Sequence, residues 1–101
     1  MWGLQAAQRE AICAVLECFP EVEEVRIFGS RAMGRYHPGS DIDLTLLGEV
    51  NAVTLNRISE QLDDLLLPYI FDLSIFDDID NTELRDHILR VGQTFYSRAR
   101  E

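Results

Sequence analysis

Two acidic residues, Asp41 and Asp43, stand two apart in Ser40-Asp41-Ile42-Asp43-Leu44. On an extended strand that spacing sends both carboxylates to one face. Ile42 and Leu44 then point the other way, into a core. Paired carboxylates repel each other unless a cation sits between them. A divalent ion that also holds a nucleotide's phosphates meets that need. Upstream, Val25-Arg26-Ile27-Phe28 is apolar and β-prone and runs into Gly29, where the backbone can bend sharply. Ser30 opens a helical turn whose free N–H groups and partial positive charge favour a phosphate. These residue types point to metal-assisted chemistry on a phosphorylated substrate.

A third carboxylate lies in Tyr69-Ile70-Phe71-Asp72-Leu73-Ser74-Ile75-Phe76. This run reads as a strand in which Asp72 and Ser74 share one face and Phe71, Leu73 and Ile75 the other. An ionised group in so apolar a run is costly without a partner. If the strand lies beside residues 41–47, Asp72 joins Asp41 and Asp43; otherwise it is an edge aspartate facing water.

The elements that must position these residues follow from periodicity. Leu4, Ala11, Ile12, Val15, Leu16 and Phe19 predict an amphipathic helix over 4–19, stopped at Pro20. A strand over 23–28 and a turn with a short helix over 29–34 come next. Arg35-Tyr36-His37-Pro38-Gly39 is the loop before the second strand, 41–47, with Pro38-Gly39 marking a turn. His37 and Tyr36 read as incidental loop residues, and Arg35 as either a phosphate contact or a solvated charge. Asn51 caps a helix over 51–67. Asp80 with Glu83 reads as the capping box of a helix over 80–91. His87 falls at the edge of that helix's apolar stripe. The tail, 93–101, is expected to pack Phe95 and Tyr96 in a short fourth strand and then fray.

The chain has 101 residues, which suits one domain over 1–101 with one modest core. It carries 18 acids against 9 bases, a formal charge of −9, and every base is arginine. That surface disfavours DNA or RNA and suits a basic protein partner. It equally serves solubility. Cys13 and Cys18 lie five apart on a helix and point in different directions, as expected of reduced thiols in a cytoplasmic protein. No apolar run approaches a membrane span, and the N-terminal residues do not read as a signal peptide.

Gly29-Ser30-Arg31-Ala32-Met33-Gly34, a five-residue loop, and Ser40-Asp41-Ile42-Asp43-Leu44 together resemble the signature of the minimal nucleotidyltransferases of the DNA polymerase beta superfamily. No Gly-Lys-Ser/Thr follows, so it is not a P-loop. The resemblance implies an α/β (α+β) nucleotidyltransferase fold, a small mixed β-sheet with helices mainly on one face and the other open to nucleotide and metal. It implies ATP as substrate and two Mg²⁺ ions held by Asp41, Asp43 and Asp72. Asp72 would also take the acceptor's proton. Gly29, Ser30 and Arg31 would meet the β- and γ-phosphates, although Arg31 could instead fix the loop through a salt bridge. Met33 departs from the polar or basic residue of many relatives. Small stand-alone members are commonly antitoxins that adenylylate a tyrosine of a HEPN-domain toxin. Two alternatives stay open: an antitoxin that masks a basic HEPN partner without catalysis, and a transferase acting on a small molecule such as an aminoglycoside. Homo- or hetero-oligomers fit each of them.

Overall fold

The computed structural model describes residues 2–98; the expected fraying of the tail's end lies outside these residues. Helix α1, Ala6–Glu17, ends at Cys18, ahead of Pro20. It starts two residues later than its apolar stripe because Gln5 is extended and exchanges capping bonds with Gln8. Strand β1, Val22–Phe28, enters the short helix α2, Gly29–Ala32, through Gly29 at φ +75°. Strand β2 is Ile42–Gly48, and helix α3, Ala52–Asp63, follows it. The Asn51 side chain caps α3, accepting a 2.9 Å hydrogen bond from the Thr54 N–H. The expected last turn of α3 is a non-helical turn in which Leu66 takes a positive φ of 56°. Strand β3, Phe71–Ile75, a 3₁₀ turn at Phe76–Asp78, helix α4, Thr82–Val91, and strand β4, Gln93–Ser97, complete the chain.

The sheet order is β3-β2-β1-β4. Strand β1 pairs antiparallel with β2 and β4, whereas β2 and β3 are parallel. A parallel pair needs a long crossover, and α3 supplies it. Val25 and Ile27 of β1, with Ile42, Leu44 and Leu46 of β2, are fully buried on one face. They pack with Ile12 and Leu16 of α1 and Ile58 and Leu62 of α3 in one cluster. Each such side chain contributes about 1.5–3 kcal/mol through burial.

Two sequence expectations need correction. Helix α4 is capped by Asn81, whose side chain accepts from the Leu84 N–H at 3.1 Å, and not by Asp80. The Arg85 guanidinium holds the carbonyls of Phe76 and Ile79, and this sets the preceding turn so that the helix begins at Thr82. The face away from α1 and α3 is also less open than expected. Arg26 lies on that face, and its Nη2 donates to the Gly92 carbonyl at 2.7 Å and the Ile88 carbonyl at 3.4 Å. This clamps the C-terminal end of α4 over β1, where the last helical carbonyls need donors. What stays accessible on that face is the end of β2 and β3 that carries Asp43 and Asp72.

Candidate active site

Strands β2 and β3 align so that Asp43 and Asp72 are direct partners. In parallel strands in register, paired residues send side chains to the same face. Phe28, the last residue of β1, is Asp43's partner on the other side, so Gly29 follows immediately beside the carboxylate. A Cβ at Gly29 would run into the Asp43 carboxylate, and the positive φ there also favours glycine. Gly29 is therefore required twice, for the bend and for the approach of Asp43. The sequence signalled the bend; nothing in it signalled the approach. Asp41 precedes β2 and is exposed, as is Asp72, whereas Asp43 is half-buried.

Burial pushes the Asp43 carboxyl above its ordinary range, and the neighbouring Asp72 and Asp41 charges add to the shift; Arg31 opposes it. Asp43 and Asp72 are cross-strand neighbours on one face, so each carboxylate feels the other's charge. Among the described residues no three acidic, histidine or cysteine side chains close into a ready-made metal cage. The donor set is nonetheless that of a hard divalent cation: carboxylate oxygens, two from paired strand positions and a third from Asp41, two residues upstream of Asp43. A cation between them would relieve the repulsion that raises the Asp43 carboxyl.

Behind the carboxylates the face stays polar. Thr45 is fully buried and its hydroxyl donates to the Ser74 carbonyl at 3.4 Å. The Ser74 hydroxyl is buried without a protein partner. Arg26, opposite Thr45, pairs with Glu24 at 3.2 Å. His87 of α4 meets the Phe28 ring edge-on at 6.4 Å, which places α4 close to the Gly29 bend.

Of the two roles open to Arg31, its contacts favour the structural one. It is 2 % exposed, and its Nε and Nη2 donate to the Ser40 carbonyl at 3.2 and 2.8 Å. Its Nη1 donates to the Trp2 carbonyl at 2.8 Å. It ties down the loop through carbonyls and not through a salt bridge. Ser40 also accepts from the His37 N–H at 2.9 Å, so it staples the loop that leads into Asp41. Ser30 is half-buried at the first turn of α2, beside Gly29. Its own N–H and that of Arg31 have no intrahelical partner there.

A mixed sheet with a glycine bend, a serine-bearing turn and adjoining acids on two strands defines a nucleotide-handling α/β domain. Residues 10–101 match polymerase beta, nucleotidyltransferase, and the chain belongs to that family. No curated protein matches it in sequence. Among solved structures, a toxin-antitoxin with AMP-PNP is similar at TM-score 0.72 and 22% identity, over 88% of this chain and 73% of that one. The tri-AMPylated Shewanella oneidensis HEPN toxin in complex with MNT antitoxin is similar at TM-score 0.68 and 18% identity, over 93% and 73%. A putative nucleotidyltransferase from Sulfolobus solfataricus is similar at TM-score 0.53 and 25% identity, over 89% and 77%.

Among the described residues no helix is long and apolar enough to cross a membrane. Cys13 and Cys18 are both free thiols.

Proposed function

We propose that the chain transfers AMP from ATP to a protein hydroxyl, a tyrosine of a HEPN-type toxin, and so acts as an antitoxin in the cytoplasm. The observation that carries this reading is the side-by-side pairing of Asp43 and Asp72 next to the Gly29–Ser30 bend. Likeness to complexes described as toxin-antitoxin, one of them tri-AMPylated, supports the choice of acceptor.

In this reading the acceptor oxygen attacks the α-phosphorus of ATP. The bond between the α-phosphorus and the bridging oxygen breaks, and pyrophosphate leaves. The acceptor's proton passes to the Asp72 carboxylate, which is exposed and therefore reachable. Ser30 and the first N–H groups of α2 bind the β- and γ-phosphates and orient the leaving group. Asp41, Asp43 and Asp72 would hold Mg²⁺, two ions in the full arrangement. When bound, the metal offsets the charge that builds on the phosphate oxygens. Arg31 is a positioning residue: it fixes the Ser40 carbonyl and with it the loop that delivers Asp41.

The acidic surface favours a second reading, neutralisation by masking a basic partner without chemistry. One experiment separates them. The chain is incubated with the candidate toxin, ATP and Mg²⁺, and the toxin is weighed by mass spectrometry. Catalysis adds an adenylate to the toxin, and the Asp41→Ala, Asp43→Ala, Asp72→Ala variant adds none and fails to neutralise. Neutralisation by that variant at the wild-type level would establish masking instead.

A further inference from the structure

A cavity of about 390 Å³ opens beside Gly3, Arg31, Tyr36, His37 and Tyr69, and none of the three candidate carboxylates lines it. Tyr69 packs against the core formed with α1 and α3, and its hydroxyl lies 2.8 Å from Gln8 Oε1 of α1. Tyr69 thus sets one wall of the cavity against α1, whereas Asp43 and Asp72 stand on the sheet face away from α1 and α3.

Its walls are chemically particular. The Arg31 guanidinium carbon sits over the rings of Tyr36 and Tyr69, 5.3 and 5.1 Å from their centres. Its bonds to the Ser40 and Trp2 carbonyls keep it from swinging away. A positive charge is thus fixed behind two aromatic rings. His37 Nδ1 accepts from the Gly39 N–H at 3.2 Å, which assigns the ring proton to Nε2. That Nε2–H has no acceptor among the described residues. Tyr36 is 40% exposed, so one side of its ring is free. Gly3, at φ +78°, lets the main chain close in where a Cβ would lie 2.6 Å from the Tyr36 ring and 2.7 Å from Arg31.

Charge sets the kind of ligand. Within a chain of net charge −9, the cavity wall holds Arg31, whose hydrogen-bond partners are neutral carbonyls, and the adjoining loop 35–39 holds Arg35 and no acid. Flat aromatic walls favour a flat ring, the local charge favours an anion, and the volume matches ordinary small-molecule sites. We propose that this cavity is a ligand site separate from the carboxylates, taking a flat aromatic ring that bears a negative charge, of mononucleotide size.

AMP is the probe that tests this. It is titrated into the intact chain by calorimetry, with fluorescence of Trp2, the one tryptophan, as a second signal, because Trp2 adjoins Gly3 and accepts from Arg31. The expected result is saturable binding to one site, retained in Asp43→Asn and retained when an ATP analogue with Mg²⁺ already saturates the protein. Tyr36→Ala and His37→Ala, both exposed loop changes, weaken it at least tenfold while melting as the wild type does. Ribose 5-phosphate, which lacks the ring, binds at least tenfold more weakly. Amide shifts in the wild type concentrate at Gly3, Tyr36, His37 and Tyr69. Absence of saturable AMP binding, displacement by the ATP analogue, loss in Asp43→Asn, or shifts centred on Asp41, Asp43 and Asp72 would each overturn the proposal. Adenylate transfer is a separate readout, so failure here leaves the proposed activity standing.

Discussion

Asp43 sits where three unfavourable influences meet: partial burial, the Asp72 charge and the Asp41 charge. Its carboxyl is raised in the folded protein. A carboxyl shifted in that direction contributes stability that is fully present below its unfolded value, about 4, and lost as pH rises through the folded value. Ionised Asp43 is therefore a liability at neutral pH unless a cation accompanies it. Asp43→Asn is expected to raise Tm at pH 7.5 without divalent ions, by no more than a few degrees because water still reaches the group. The gain shrinks as pH falls towards the unfolded value. Mg²⁺ should raise the Tm of the wild type and leave that of Asp43→Asn nearly unchanged. Scanning fluorimetry over pH and Mg²⁺ reads all three effects, and a lower Tm for the variant at pH 7.5 would reverse the account. Asp72 is its partner and invites a kinetic comparison. Asp72→Asn keeps the shape and removes the proposed proton acceptor, so the proposed adenylate transfer is expected to fall by about 10²–10⁴-fold with folding intact. A rate within threefold of wild type would remove Asp72 from the proton's path.

At the scale of elements, the β1–α2 junction holds the site together, and two glycines of similar conformation isolate what it does. Gly29 and Gly34 lie at φ +75° and +73°. A Cβ at Gly34 would meet nothing within 4 Å, whereas at Gly29 it would strike the Asp43 carboxylate. Gly34→Ala should cost only the backbone term, about 1–2 kcal/mol. Gly29→Ala should cost more and also blunt the Mg²⁺-dependent rise in Tm, because Asp43 must move; urea midpoints with and without Mg²⁺ measure the difference. Equal losses in the two variants would show that Asp43 does not depend on this approach. Much of this arrangement was legible beforehand. The Asp-Ile-Asp alternation and the apolar run around Asp72 fix strand faces, the breakers at Pro20 and Gly29 fix element ends, and the parallel pairing then sets Asp72 beside Asp43. What stayed hidden depends on contacts across long sequence separations. Arg26 pulls in the end of α4 from 66 residues away, and Arg31 binds the Trp2 carbonyl 29 residues upstream. An arginine's spacing says nothing of which carbonyls it will find. The Asp80 cap failed for a related reason: adjacent Asp80 and Asn81 are both able caps, and the Arg85 bonds to the preceding turn decide between them.

For the molecule as a whole, the decisive quantity is a charge of −9 spread over 101 residues, interrupted by the acid-free stretch 25–40. A field of that sign steers a basic partner towards the chain and repels nucleic acid. Steering acts on the encounter, before short-range contacts form, so it should appear in the association rate. At an ionic strength of about 0.15 M the screening length is about 8 Å, and at 1 M about 3 Å, shorter than the gap across which two proteins first attract. Association with the proposed toxin partner is therefore expected to slow about tenfold or more between low and high salt, while dissociation changes little. Stopped-flow mixing over a salt series measures both rates. Reversing charge on the surface tests the same idea without salt: Asp63→Lys with Asp64→Lys, both exposed at the end of α3 and neither among the site residues, should slow association and leave the proposed transfer step within the complex unchanged. An association rate indifferent to both salt and charge reversal would mean that the partner is recognised by shape and apolar contact, and that the acidic surface serves solubility alone.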